Sequence, residues 1–139
     1  MRFAIAALAW LLISCGDAPD AAGDAAPAET PIQIPVVIPT QFWGVWDYVD
    51  GTCSPESDMR MEISSKEILF YESIGALTSV KLEDESSLVL GLAMEGEGER
   101  WDQELRLALV GEGDAQVLET SDGSQPHVHD EYPSKRCPA

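Results

Sequence analysis

The fold is decided by residues 88–109, which read LVLGLAMEGEGERWDQELRLAL. The first half has apolar side chains at alternate positions, at Leu88, Leu90, Leu92 and Met94. The second half repeats the pattern on a face formed by Trp101, Gln103, Leu105, Leu107 and Leu109. Alternation of this length predicts half-buried strands, because successive side chains of a strand point to opposite faces. The glycines at 96 and 98 indicate a turn between the two strands, so we predict a hairpin.

The same period of two extends over the rest of the chain after residue 40. Apolar or small side chains share a face within each of four sets: Phe42, Gly44, Trp46 and Tyr48; Met59, Met61 and Ile63; Ile68, Phe70 and Ile74; and Thr78, Val80 and Leu82. A last short apolar run holds Val117 and Leu118. A small meander must hide its edges, and closure is the usual solution. We therefore predict an all-β domain over residues 41–139, a small antiparallel meander that closes into a barrel of about seven to eight strands.

The first 14 residues have the pattern of a secretory signal. Arg2 precedes an apolar run from Phe3 to Ile13, which is too short to span a bilayer. The following Leu12-Ile13-Ser14-Cys15 resembles the bacterial lipobox. That resemblance implies cleavage before Cys15 and acylation of this cysteine, which anchors the chain to a lipid bilayer. Because Gly16 rather than aspartate follows Cys15, the resemblance favours the outer membrane, with the chain facing the periplasm.

Residues 15–40 are predicted to form a lipidated, disordered tether. From residue 16 to residue 40 the chain has five prolines, four acidic residues and no basic residue. Such a composition is too polar and too rich in proline to bury a core. If fully extended, the tether would reach about 80 Å. The apolar part between Pro31 and Pro39 is predicted either to lie against the domain or to serve as a docking strip.

Lipidation of Cys15 would leave Cys53 and Cys137 as the remaining cysteines. The periplasm oxidises thiols, so we expect a disulfide bond between these two residues. The alternative is a pair of free thiols. Their spacing does not match the C-x-x-C motif of redox proteins.

The segment Phe42-Trp43-Gly44-Val45-Trp46 resembles the Gly-x-Trp opening of lipocalin-like barrels. It is also similar to the start of small bacterial barrels that inhibit metalloproteases, in which a cysteine follows soon after, as Cys53 does here. The match covers about a dozen residues, and the distant Cys137 departs from the inhibitor pattern. The resemblance implies a barrel in which the glycine relieves crowding and the tryptophan plugs one end.

Two sets of residues are candidate binding sites. His127 and His129 are the chain's only histidines, and on an extended segment they point the same way, which would allow both to bind one metal ion. The alternative is a polar surface loop. If Phe42 and Trp46 point inward, Trp43 points outward, and Tyr71 likewise faces away from Phe70. Exposed aromatic side chains at these two positions can mark a partner site, or they can pack under the tether.

The net charge and the sequence motifs argue against several classes of function. The formal net charge is −17, with 8 basic and 25 acidic residues, which argues against nucleic acid as a partner. No serine lies in a nucleophile-elbow setting and no third group can orient a histidine, so we expect no enzyme and no cofactor. The leading hypothesis is a non-catalytic module that binds an envelope protein, for instance as an inhibitor of a hydrolase. The alternatives are a lipocalin-like carrier of a small apolar ligand and metal binding through His127 and His129.

Overall fold

The computed structural model describes residues 35–139 and has eight antiparallel strands that form a closed barrel. Each strand pairs with the next one in sequence, and the last pairs with the first. The strands are β1 (Gly44–Tyr48), β2 (Met61–Ile63), β3 (Glu67–Leu69), β4 (Ser73–Leu82), β5 (Ser87–Gly96), β6 (Glu99–Val110), β7 (Val117–Asp122) and β8 (Ser134–Arg136). Two single-turn 3-10 helices span Thr40–Phe42 and Gly113–Ala115. The predicted all-β barrel of seven to eight strands is confirmed.

The hairpin of β5 and β6 is the longest pairing in the barrel. Its ladder runs without a register shift from Ser87 opposite Ala108 to Gly96 opposite Glu99. The two turn residues, Glu97 and Gly98, both have positive φ, at 49° and 82°, as expected for a tight hairpin turn whose twist matches that of the strands. The predicted inward face is buried at all four positions of β5, from Leu88 to Met94.

Apolar side chains from six of the eight strands and from the segment before β1 meet in one core. The cluster consists of Ile38, Phe42, Trp46, Met61, Ile63, Ile68, Leu88, Leu90, Leu92, Met94, Leu105, Leu107 and Leu118. These side chains fill space that a carrier of a small apolar ligand would need. The packing therefore gives the carrier alternative no support.

Closure of the barrel depends on contacts that alternation does not reveal. β8 is only Ser134-Lys135-Arg136, which has no apolar pattern, and it pairs with β1 and with the start of β7. The Arg136 guanidinium lies 4.1 Å from the ring centre of Trp46, and its Nη2 donates a hydrogen bond to the Gln41 carbonyl at 2.7 Å. Trp46 is fully buried and donates from its indole nitrogen to the Phe42 carbonyl at 2.9 Å.

A disulfide bond joins Cys53 to Cys137, which are 84 residues apart in sequence. The prediction of this bond is confirmed, and the alternative of two free thiols is wrong. The carboxylate of Asp47, which is fully buried, positions the Cys53 loop. It accepts hydrogen bonds from the Cys53 amide at 2.7 Å and from the Ser57 hydroxyl at 2.7 Å.

The packed unit begins before residue 41. Ile38 is fully buried in the core, and its amide donates to the Ser65 carbonyl at 2.9 Å. The apolar end of the predicted tether therefore lies against the domain at Ile38. The predicted signal peptide (residues 1–14), the lipobox with Cys15, and the tether up to residue 34 lie outside the described residues. Within residues 35–139, no helix is long and apolar enough to cross a bilayer.

Candidate functional site

Strand β6 is much longer than its neighbour β7. β6 has 12 residues and β7 has 6, and the last pair of their ladder is Leu105 opposite Asp122. On its other side, β6 stays paired with β5 as far as Glu99. Among the described residues, the ladders pair residues 99–104 with β5 alone, and we name these six residues the open edge.

The hydrogen bonds between β5 and β6 show which backbone N–H and C=O groups the open edge exposes. The Leu109 amide donates a hydrogen bond to the Ser86 carbonyl at 2.9 Å. Since hydrogen-bonding direction alternates along a strand, even-numbered residues of β6 point their N–H and C=O groups away from β5. The Glu104 carbonyl accordingly accepts from the Gly123 amide at 3.0 Å. Arg100 and Asp102 lie beyond that point, and no residue of the described part pairs with their outward backbone groups.

Arg106 explains why the chain leaves β6 after Asp122. Its side chain, 5% exposed, donates to the carbonyls of Asp122 at 2.9 Å and Gln125 at 2.8 Å. It also donates to both carboxylate oxygens of Glu83, at 2.7 Å and 3.0 Å, and this hydrogen bonding lowers the pKa of Glu83 below its ordinary value. A Cβ at Gly123 would lie 2.5 Å from Val89 Cγ1, so the turn needs glycine. The chain is thus directed away from the open edge.

A surface groove runs along the open edge where β7 departs. Its volume is about 590 Å³, and it is lined by Asp102, Gln103, Glu104, Leu105, Thr120, Ser121, Asp122 and Ser124. Seven of these eight residues have polar side chains, and three of them are carboxylates. The groove leaves room for a chain segment beside β6.

Trp101 lies on the open edge and is 42% exposed. It pairs with Met94 on β5, which is buried, so both side chains point to the same face. The sequence placed Trp101 on one inward face with Leu105 and Leu107. The structure keeps these side chains on one face, but Trp101 is exposed because the strand extends past the barrel wall that buries Leu105.

The open edge and its turn are strongly acidic. Exposed carboxylates are present at Glu95, Glu97, Glu99, Asp102 and Glu104. The single basic residue among them, Arg100, forms a salt bridge with Glu95 at 3.1 Å. A surface of this composition attracts cationic groups and repels acidic ones.

The two predicted aromatic positions have different environments. Tyr71 is 52% exposed and lies in the turn between β3 and β4. That turn is next to the β5–β6 turn, because Ser73 pairs with Gly96. Trp43 is 38% exposed, and its indole nitrogen donates to the Ile38 carbonyl at 2.7 Å. Trp43 therefore packs against the end of the tether segment, whereas Tyr71 lies at the same end of the barrel as Glu97.

Both histidines face a buried carboxylate that the sequence did not single out. Glu119 on β7 is 3% exposed. His129 Nδ1 lies 2.8 Å from its Oε1, and His127 Nε2 lies 3.8 Å from its Oε2. No described residue donates a hydrogen bond to Oε2. When protonated, the imidazoles can compensate the buried charge, which would otherwise be costly.

The geometry around Glu119 is an ion-pair arrangement and not a formed metal centre. In residues 35–139, no group of three or more His, Cys, Asp or Glu side chains is arranged to hold a metal ion. Metal binding by His127 and His129 stays a prediction. Sequence alternation could have indicated Glu119, because it lies between apolar Leu118 and a polar run, but not that the loop after β7 would cover it.

Trp101 is the residue of this surface whose exposure the sequence analysis did not predict. The available signal was the mismatch in length between the alternating run that ends at Leu109 and the short run at 117–118. A long strand beside a short one leaves an unpaired edge.

Comparisons of the chain with protein-family models, with curated proteins and with solved structures found no match.

Proposed function

We propose that this chain is a membrane-anchored, non-catalytic module that binds a protein of the cell envelope. Acylated Cys15 would hold it to the outer membrane facing the periplasm, and residues 16–34 would give it reach. The partner would dock on the open edge, next to Trp101. Inhibition of an envelope hydrolase is one form that this function would take. The proposal requires no cofactor and no nucleic acid.

The observation that carries the proposal is an unpaired strand edge beside an exposed tryptophan. Proteins usually cover or block such edges, because their free N–H and C=O groups pair readily with other chains. Aromatic side chains, tryptophan above all, are enriched where protein interfaces gain most of their affinity. Here the two features coincide on residues 99–104.

The anchor is tested by Cys15→Ser. We expect this variant to lose incorporation of radiolabelled palmitate and to disappear from the outer-membrane fraction, because the thiol that carries the lipid is gone. Cys53→Ser is the matched control, and it should keep the label. Labelling of Cys15→Ser at the level of the unmodified chain would contradict the anchor.

The docking surface is tested by cross-linking in whole cells followed by affinity capture of the tagged full chain. We expect Trp101→Ala to reduce recovery of the main cross-linked protein by about tenfold or more, since loss of a central aromatic side chain commonly costs 2 kcal/mol or above. Tyr71→Ala should have a smaller effect, because Tyr71 lies at the rim of the same end.

Tyr132→Ala is the matched control, since Tyr132 is 56% exposed, close to the 52% of Tyr71, but lies in the loop before β8. It should leave recovery unchanged. Equal recovery from the unmodified chain and from Trp101→Ala would refute docking at this surface. If the captured protein is a hydrolase, its activity with and without the purified chain tests the inhibitor form directly.

A further inference from the structure

The open edge offers a regular set of unsatisfied backbone groups. Arg100 and Asp102 each point an N–H and a C=O away from β5, and the Glu104 amide points the same way. These groups repeat every two residues, about 6.8 Å apart, which is the repeat of an extended strand. The edge contains no proline, and its ladder with β5 has no bulge. It therefore lacks two devices by which proteins block strand addition.

A second copy of the chain does not suit this edge. Each chain carries a formal net charge of −17, so two copies repel each other, and an antiparallel pairing centred on Asp102 would set the two Asp102 carboxylates directly opposite. Like charges on directly opposed strands are destabilising. The tether of the same chain does not suit it either, because residues 16–40 contain four acidic residues and no basic one.

The side chains of the open edge specify what an added strand should carry. Asp102 and Glu104 point to one face, where Arg100 is already paired with Glu95. Trp101 and Gln103 point to the other face, next to Met94. Opposite charges and aromatic–aliphatic contacts are the favourable cross-strand pairs. A segment that alternates basic with apolar residues would satisfy both faces.

We propose that the open edge of β6 binds an extended, lysine- or arginine-bearing segment of a partner protein as an added strand. The inference rests on the proposed protein-binding function and names the chemistry of the partner segment. The backbone ladder supplies a register, and the carboxylates select basic over acidic segments. The groove of about 590 Å³ beside Asp102 and Asp122 is where the added strand lies.

The test uses the purified full chain in a neutral detergent and three octapeptides with blocked ends. The first peptide alternates lysine and valine. The second replaces each lysine with glutamate. The third keeps the lysines but carries an N-methyl group on every backbone nitrogen, so that it has the same charge and no backbone N–H with which to form a strand ladder. Calorimetry measures affinity, and hydrogen exchange followed by NMR measures protection of each backbone amide.

We expect the lysine peptide to bind and to protect the amides of Arg100, Asp102 and Glu104. The N-methylated peptide should bind about tenfold more weakly or worse, because it loses several hydrogen bonds. The glutamate peptide should not bind. Equal binding of the lysine peptide and its N-methylated form would overturn strand addition, as would protection that appears elsewhere on the barrel.

Two variants of the chain test whether strand addition uses the outward backbone amide of residue 102. Asp102→Pro and Asp102→Ala both remove the carboxylate, but only proline also removes the amide that faces outward. Proline is tolerated on edge strands with the missing N–H toward solvent, so the ladder with β5 stays intact. We expect Asp102→Pro to bind the lysine peptide about tenfold more weakly than Asp102→Ala. Equal affinities would overturn the proposal.

The two proposals fail in different ways. If capture from cells depends on Trp101 but the N-methylated peptide binds as well as its parent, protein binding stands and strand addition is wrong. If the peptides behave as expected but no captured protein depends on Trp101, the edge binds basic strands and the proposed envelope partner is wrong. Peptide binding to the unmodified chain needs no variant to fold, so the result is decisive either way.

Discussion

Replacing Trp46 with alanine is expected to lower the free energy of unfolding by about 3–5 kcal/mol, the usual cost of deleting a large buried aromatic side chain. Trp46 is fully buried in the core. Its loss would leave the Phe42 carbonyl without its indole donor and the Arg136 guanidinium without the ring beneath it. Arg136 belongs to the three-residue strand that closes the barrel, so closure is weakened together with the core.

Urea denaturation followed by circular dichroism measures this change. Trp101→Ala is the matched control, because it removes the same side chain from a position that is 42% exposed. We expect it to cost less than about 1 kcal/mol, as is common for exposed positions. Equal losses of stability for the two variants would show that Trp46 does not have the structural role inferred for it.

Removing the disulfide bond is expected to cost about 4.5 kcal/mol, since the bond closes a loop of 84 residues and restricts the unfolded chain accordingly. In the folded chain it joins the loop after β1 to the residue that follows β8. The β8 ladder is short, with three pairs to β1 and two to β7. The bond therefore supports the seam at which the barrel closes.

Thermal unfolding with and without reductant measures this effect, and the double variant Cys53→Ala, Cys137→Ala gives the same comparison without reductant. Reductant should have no further effect on the double variant, which makes that variant the control for nonspecific action. An unchanged melting temperature on reduction of the native chain would contradict the prediction. The effects of Trp46→Ala and of the missing bond should not add, because Arg136 contacts Trp46 and is next to Cys137 in sequence.

The fold was largely predictable, because it follows from local alternation. Leu88, Leu90, Leu92 and Met94 are buried as their period of two requires. The pairing of Cys53 with Cys137 was predictable from the count of cysteines together with the predicted oxidising compartment. β8 was not, since Ser134-Lys135-Arg136 has no apolar pattern and is held in place by pairing with β1 and β7.

The candidate site was less predictable, since it depends on how long neighbouring strands are. Trp101 alternates in phase with Leu105 and Leu107, and nothing in that phase distinguishes an exposed position from a buried one. Its exposure arises because β7 ends opposite Leu105 and Arg106 directs the chain away. The burial of Glu119 was likewise hidden from pattern analysis, because it comes from the loop that carries His127 and His129.

The amino-acid sequence alone was enough to establish strand-forming segments, their inward faces on β5, the pair of cysteines and the acidic charge, because these depend on the order and type of nearby residues. It also predicts the lipid anchor at Cys15. Only the tertiary structure decided which edge stays unpaired, which carboxylate is buried, and that Ile38 belongs to the core. Those properties depend on contacts between residues far apart in sequence. The local alternation of apolar and polar residues carries no information about such contacts.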